Sequence, residues 1–132
     1  MVNLIIFNKI IILKPDYGAK GSLVFLKDKI YFVFISGMTF NFISVIRDLF
    51  FLNKINKELK NLNENTVKQF LLDKKYIEIS KNNLKVFMPE NWFSTLKFKI
   101  EDKKYSFNVG SERKKLNELK RFLISENYDV KN

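Results

Sequence analysis

The sequence predicts a mainly β, α+β fold in which about seven short antiparallel strands are followed by one amphipathic C-terminal helix. One observation behind this prediction is a hairpin pattern over residues 21–34, where two apolar runs meet at a charged triplet, residues 27–29. Another is the return of strand-like alternation between residues 76 and 109. The last is an apolar stripe at helical spacing over residues 116–123, which needs a partner surface.

Length and composition are those of one folded domain over residues 1–132. Hydrophobic residues make up 46% and aromatic residues 15%, which excludes a disordered chain. The absence of Cys excludes a disulfide framework and fits a reducing compartment such as the cytoplasm. His, the commonest general base, is also absent. Because the sequence contains no catalytic constellation and no phosphate loop, we expect no enzyme activity, no metal and no cofactor.

The chain is strongly basic. Its formal net charge is +10, from 24 Lys and Arg against 14 Asp and Glu, and all basic residues except Arg47, Arg113 and Arg121 are Lys. Such a surface attracts nucleic acid, anionic lipid and acidic partners, although readers of bases and phosphates usually rely on the bidentate Arg fork. A solvated lysine surface without a binding role explains the same composition.

The N-terminal part predicts a strand over residues 4–14, a loop over residues 14–20 and then the hairpin. The consecutive apolar residues 10–12 indicate burial on both sides or pairing at a curved sheet. We expect no signal peptide, and the uncharged residues 30–46 are a membrane-span candidate that is short and interrupted by polar residues. The apolar residues that alternate onto one face of the hairpin are Leu23, Phe25, Ile30, Phe32 and Phe34.

Beyond residue 37 the apolar pattern changes to that of a helix. A long amphipathic helix is predicted over residues 38–62, and a short one over residues 66–75, which together form a helical insertion at about residues 38–75. The first half of the long helix is apolar over most of its circumference. We therefore expect one side to pack on the sheet and the other to contact a partner, a second copy or a membrane.

The second part of the chain predicts further strands, one of which alternates lysines with apolar residues and so indicates a sheet with one wet face. Ser111 is the predicted N-cap of the final helix, and the residues after Glu126 are expected to fray. The predicted strands cover residues 76–79, 84–88, 92–101 and 105–109.

Two blocks of residues stand out within this order of elements: Gly21, Ser22, Leu23, Ile30, Tyr31, Phe32 and Val33 in the hairpin, and Leu96, Phe98, Ile100, Tyr105 and Phe107 before the final helix. With these blocks, the order of elements resembles the pleckstrin-homology-like superfamily and, locally, its GRAM-like branch with its bacterial members. The resemblance implies a partly open antiparallel barrel with a C-terminal capping helix, acting as a binding or adaptor module. The basic loop of many lipid-binding members carries paired Lys and Arg, whereas residues 14–20 offer only Lys14 and Lys20.

The first candidate site is a set of turn lysines that we expect to converge at the open end of the barrel and to hold anionic headgroups as point charges. The alternative is that they are solvated turn residues, since turns are polar regardless of function. These lysines are Lys14, Lys20, Lys27 and Lys29.

The second candidate is an apolar face of the long helix, which would enter a bilayer interface, bind a protein partner or join two copies of the chain. Packing on the barrel of the same chain is the alternative for half of this stripe. Its residues are Phe42, Ile46, Phe50 and Phe51.

The third candidate is a basic face for single-stranded nucleic acid, which is disfavoured because the aromatic residues alternate with the lysines along the strands. The sequence therefore predicts a non-enzymatic module that associates peripherally with anionic membrane, with protein interaction or self-assembly as the alternative. The residues of the basic face are Lys97, Lys99, Lys103 and Lys104, near Tyr105, Trp92 and Phe93.

Overall fold

A computed structural model describes residues 4–14, 18–36, 66–72, 75–89 and 94–131. It confirms the mainly β, α+β class, whereas the helix predicted over residues 38–62 lies outside the described ranges. The helices are α1 (Val67–Leu71), a 3-10 helix (Gly110–Lys115) and α2 (Leu116–Ser125). The strands are β1 (Ile5–Lys14), β2 (Lys20–Phe25), β3 (Lys29–Ser36), β4 (Tyr76–Ser80), β5 (Leu84–Phe87), β6 (Thr95–Ile100), β7 (Lys103–Asn108) and β8 (Asp129–Lys131).

These strands form one sheet in the order β4-β3-β2-β1-β7-β6-β5-β8. Every neighbouring pair is antiparallel except β5 and β8, which are parallel. Strands β1 and β7 pair although they are far apart in the chain, whereas the consecutive strands β4 and β5 are not neighbours. Within the described residues the sheet is therefore open between β4 and β5.

The sheet curls around its inner face. Phe25 on β2 and Phe98 on β6 are three strand spacings apart, which is about 14 Å in a flat sheet. Their ring centroids are nevertheless only 6.1 Å apart. Phe32 and Phe107, also three strands apart, approach to 5.0 Å. The inner face is thus concave and filled by the core, and the outer face is convex.

Strand β1 joins the two parts of this curled sheet because it pairs with both β2 and β7. Between Phe7 and Ile10 its register against β2 shifts by one residue, which is a β-bulge. The bulge directs both of these side chains into the core, where both are fully buried. Ile12 is also buried and Ile11 is half-buried. The prediction of pairing at a curved sheet is therefore confirmed.

Gly21 lies at the corner where two registers shift. It is the first partner of β1 beyond the bulge, and the β2–β3 register shifts between Lys20 and Gly21. A Cβ at Gly21 would lie 2.2 Å from the carbonyl oxygen of Val33 and 2.7 Å from Cζ of Phe32. Only glycine fits this close approach of β2 to β3.

The hairpin prediction is confirmed in detail. Phe25 pairs with Ile30 across the turn, and the Leu26 N–H donates to the Lys29 carbonyl at 2.9 Å. Of the alternating apolar set, four residues are fully buried in the inner core and Phe34 packs against it. The helical stripe of α2 joins the same core through Leu119, Phe122 and Leu123. The C-terminal helix therefore covers the inner face, as its spacing predicts.

A second apolar cluster lies on the outer face of β1–β3. Val24, Tyr31 and Val33 are buried there together with Val67 and Leu71 of α1. The Tyr31 hydroxyl donates to Glu78 at 2.8 Å, and burial, followed by this bond, raises the pKa of its phenol. Helix α1 begins after Thr66 as predicted, but it ends at Leu71 rather than at residue 75. This short helix contributes to covering a face that an ordinary hairpin leaves wet.

The residues after Glu126 bridge the open side of the sheet, so the prediction that they fray is wrong. Asn127 adopts a left-handed conformation with φ of 63°, and Tyr128 behind it is buried. The Tyr128 hydroxyl donates to the Leu26 carbonyl at 2.6 Å. Lys81 donates through Nζ to the Glu126 carbonyl at 3.0 Å. These bonds tie the C-terminal segment to the turns that follow β2 and β4.

The prediction of Ser111 as the N-cap of the final helix is also wrong. Ser111 lies inside the 3-10 helix, and α2 begins only at Leu116. Side chains of the 3-10 helix instead form hydrogen bonds with the backbone of β1 next to its bulge. The Asn8 N–H donates to Glu112 Oε1 at 3.1 Å, and Lys115 Nζ donates to the Ile6 carbonyl at 2.8 Å. Side chains thereby satisfy backbone groups that the bulge withdraws from strand pairing.

Candidate anion-binding face

The outer face of β5–β7 is lined by lysines. In β6, Lys97 and Lys99 are exposed while Leu96 and Phe98 are buried, so the predicted wet face is confirmed. Lys99 pairs directly with Lys85 on β5 and with Lys104 on β7. Directly opposite residues in antiparallel strands have Cβ atoms about 4.5–5.5 Å apart. The register thus builds a row of three like charges across three strands.

A second row runs beside the first. Ser106 on β7 pairs with Lys97 on one side and with Lys14 on the other. Lys14 reaches the outer face because the register of β1 against β7 shifts between Ile12 and Lys14. The two rows together form a surface that we call the lysine face, defined by Lys14, Lys85, Lys97, Lys99 and Lys104.

Within the described part of the chain, the lysines of this face are not neutralised by ion pairs. None of its five lysines has an ion-pair or hydrogen-bond partner among the described residues, and all five are exposed. Asp129 on β8 is in register with Lys85, but its carboxylate is 3.2 Å from Lys131 Nζ. The other nearby acids, Glu101 and Asp102, lie in the turn at the end of β6. Like charges opposite one another destabilise a sheet, and an anion bound at this face would relieve that repulsion.

Among the described residues, aromatic groups contribute little to this surface. Tyr105 is half-buried and packs against the inner core, away from the lysines. Phe87 lies on the outer face in register with Lys97 and Lys131, and it is half-buried. Trp92 and Phe93 lie outside the described residues. In the described part of the chain, the lysine face therefore lacks the row of exposed rings on which single-stranded bases stack.

The four turn lysines predicted as one site are not brought together. Lys14 belongs to the lysine face, and Lys20 lies at the start of β2, in register with Ile11. Lys27 and Lys29 lie at the other end of β2, which at about 3.3 Å per residue is roughly 20 Å away. The reason is topological: these residues flank opposite ends of one strand. Convergence of all four at one rim is therefore wrong.

Other predicted features lie outside the described part of the chain. The helix face of Phe42, Ile46, Phe50 and Phe51 is among them, and its role in interaction or self-assembly stays a prediction. Residues 30–36, the start of the membrane-span candidate, form most of strand β3. Among the described helices, none has the length and apolar character required to cross a bilayer.

Lys85 was missed by sequence reasoning, as was the row that it completes with Lys99 and Lys104. The alternation in β5 signalled its exposure, because Leu84 and Val86 on either side are apolar. What a single sequence does not contain is the register that sets Lys85 opposite Lys99. The Lys14–Ser106 neighbourhood was missed for the same reason, since it depends on the β1–β7 pairing.

Comparison with known proteins adds no family to this description. No family model matches the chain, and no curated protein matches it.

Proposed function

We propose that the protein is a non-enzymatic binding module that associates peripherally with anionic membrane through the lysine face. The observation that carries this proposal is the row of Lys85, Lys99 and Lys104, exposed and without partners among the described residues. Each lysine near an anionic bilayer contributes about 1 kcal/mol of attraction. The five lysines of the face together supply about 5 kcal/mol, which is enough for reversible association.

The shape and chemistry of the face favour a bilayer over a nucleic acid. The face is convex, so it contacts a plane over a larger area than it contacts a cylindrical duplex. It presents lysine point charges rather than Arg forks, and lipid headgroups require only charge. It also lacks an exposed stacking platform in the described residues, as argued above. Nucleic-acid binding is therefore an outcome of the test rather than a second proposal.

We further propose that the fold is a pleckstrin-homology-like, GRAM-related, partly open barrel. The support is the strand order, in which β1 pairs with β7, β4 and β5 are not neighbours, and α2 packs on the inner core. The parallel strand β8 departs from that pattern. A module of this kind would work in the cytoplasm, peripheral on the inner face of the membrane, where the leaflet is anionic.

Vesicle co-sedimentation tests the proposed function. The protein is mixed with phosphatidylglycerol–phosphatidylcholine vesicles or with pure phosphatidylcholine vesicles, at about 50 and 500 mM salt. We expect pelleting with the anionic vesicles at low salt, little at high salt, and none with neutral vesicles, because surface charges are screened.

A parallel arm uses a fluorescent single strand and a duplex under the same two salt conditions. Binding to either nucleic acid without binding to anionic vesicles would overturn the membrane proposal. Equal pelleting with neutral and anionic vesicles would also contradict it, since electrostatics would then not drive the association.

A further inference from the structure

The lysine face contains one feature that net charge does not explain, the buried hydroxyl of Ser106. The described residues include two buried polar side chains, Ser22 and Ser106. The Ser22 hydroxyl donates to Asn8 Oδ1 at 3.2 Å. Ser106 is only 8% exposed, and its hydroxyl has no hydrogen-bond partner among the described residues. Burying a hydroxyl without a hydrogen-bond partner costs free energy of folding. A ligand that accepts a hydrogen bond from Ser106 would offset that cost.

The register places this hydroxyl between two cations. Ser106 pairs with Lys14 on β1 and with Lys97 on β6, so all three residues project from the outer face in one row. Leu96 and Phe107, the neighbouring pair, project to the buried inner core. Lys14 and Lys97 therefore flank Ser106 from adjacent strands.

We propose that Lys14, Ser106 and Lys97 form a discrete phosphate subsite within the lysine face. The hydroxyl donates to one phosphate oxygen, and the two ammonium groups neutralise the others. The ligand class is a phosphate ester, either a lipid headgroup or a free phosphate compound. The proposal deepens the proposed function, since it names the group that the face holds, and it rests on that function only for the lipid source.

The test is a titration of isotope-labelled full-length protein, followed by amide chemical shifts. The probes are inorganic phosphate, soluble short-chain phosphatidylglycerol, and chloride at matched ionic strength. We expect both phosphate compounds to shift the amides of residues 14, 97 and 106, and chloride to shift none of them beyond the general salt effect.

Substitution then separates the subsite from the surrounding charge. Ser106→Ala removes the donor without removing a charge, and we expect phosphate affinity to fall about tenfold, the effect of one charge-assisted hydrogen bond. Because Ser106 has no hydrogen-bond partner among the described residues, the melting temperature of S106A should equal or exceed that of the wild type. Lys97→Gln should weaken phosphate binding, whereas Lys68→Gln on α1, which removes the same charge elsewhere, should leave it unchanged.

The outcomes distinguish the subsite from the membrane function. An unchanged phosphate affinity in S106A, or shifts reproduced by chloride, overturns the subsite even if vesicles still bind. A tenfold loss in S106A for the lipid probe supports a headgroup source, and a loss for inorganic phosphate alone supports a free phosphate compound. If phosphate binds at residues 97 and 106 but anionic vesicles do not pellet the wild type, the subsite stands and the membrane function falls.

Discussion

The outer faces of the two halves of the sheet differ, because one is covered by apolar side chains and the other exposes lysines. In the first half, β1–β4, the consecutive residues Leu23, Val24 and Phe25 are all buried, because the outer face carries an apolar cluster that includes α1. In the second half, β5–β8, Leu96 and Phe98 are buried, and Lys97 and Lys99, which alternate with them, are exposed. The covered outer face therefore contributes to the stability of the fold, whereas the lysine face is the one through which we propose that the protein binds.

The largest expected effect comes from introducing an aspartate on the outer face of one half and, in a separate variant, on the outer face of the other half. Val24→Asp would bury a carboxylate in the second apolar cluster, and we expect a loss of about 3–5 kcal/mol in the free energy of unfolding. Lys99→Asp on β6 is the matched control, and we expect no loss of unfolding free energy, because the new carboxylate lies opposite Lys85 and Lys104 and replaces repulsion by attraction. Urea denaturation measures both. Similar losses in the two variants would show that the halves do not differ as described.

Within the first half, the close approach of β2 to β3 depends on Gly21. Gly21→Ala places a methyl group against the Val33 carbonyl oxygen and the Phe32 ring, so β2 and β3 must separate. We expect a loss of about 2–3 kcal/mol in unfolding free energy, measured by urea denaturation. Gly110→Ala is the control, because its Cβ would meet only the Asn108 side chain at 3.2 Å. A neutral Gly21→Ala would refute the close approach of the two strands.

The next prediction concerns Tyr31, which is buried in the second apolar cluster and hydrogen-bonded to Glu78. Tyr31→Phe removes the hydrogen bond to Glu78 and should cost about 1 kcal/mol at neutral pH. Because burial raises the pKa of this phenol, the unfolded chain loses its proton first, and wild-type stability should fall as the pH rises above about 10. Tyr31→Phe should lose less stability over that range. Circular dichroism measures the stability of both proteins as the pH rises. If both lose stability equally, the phenol of Tyr31 is not buried in its neutral form.

The smallest effect concerns repulsion within the lysine face. Lys99→Gln relieves repulsion with Lys85 and Lys104, so we expect it to raise the unfolding free energy by about 0.2–1 kcal/mol at low salt. The gain should vanish at high salt because the charges are then screened. Lys68→Gln on α1 should show no such salt-dependent gain. Thermal unfolding at two salt concentrations decides between these expectations.

Much of this comparison could be predicted from the sequence. Strict alternation over residues 96–99 indicated one wet face, and the apolar run over residues 23–26 is consistent with burial on both sides. The hairpin turn and the stripe of α2 follow from local spacing as well. Such features depend on neighbours within a few positions along the chain, which a single sequence records.

What could not be predicted depends on contacts between distant residues. The Lys14–Ser106–Lys97 row needs both the β1–β7 pairing and a register shift that no local pattern encodes. The hydrogen bond from the Tyr128 hydroxyl to the Leu26 carbonyl likewise joins residues that are 102 positions apart in the chain. The turn lysines are predicted to converge at the open end of the barrel, but the length of β2 separates Lys14 and Lys20 from Lys27 and Lys29.

The most direct test of the central claim compares two triple variants on anionic vesicles. Lys85→Gln, Lys99→Gln and Lys104→Gln remove three charges from the lysine face, whereas Lys27→Gln, Lys29→Gln and Lys68→Gln remove three from elsewhere. Each triple variant lowers the formal net charge by three, from +10 to +7. With about 1 kcal/mol per lysine, the first should bind phosphatidylglycerol vesicles roughly a hundredfold more weakly, and the second should bind nearly as the wild type does. Equal losses in the two variants would show that net charge, and not the lysine face, drives the association.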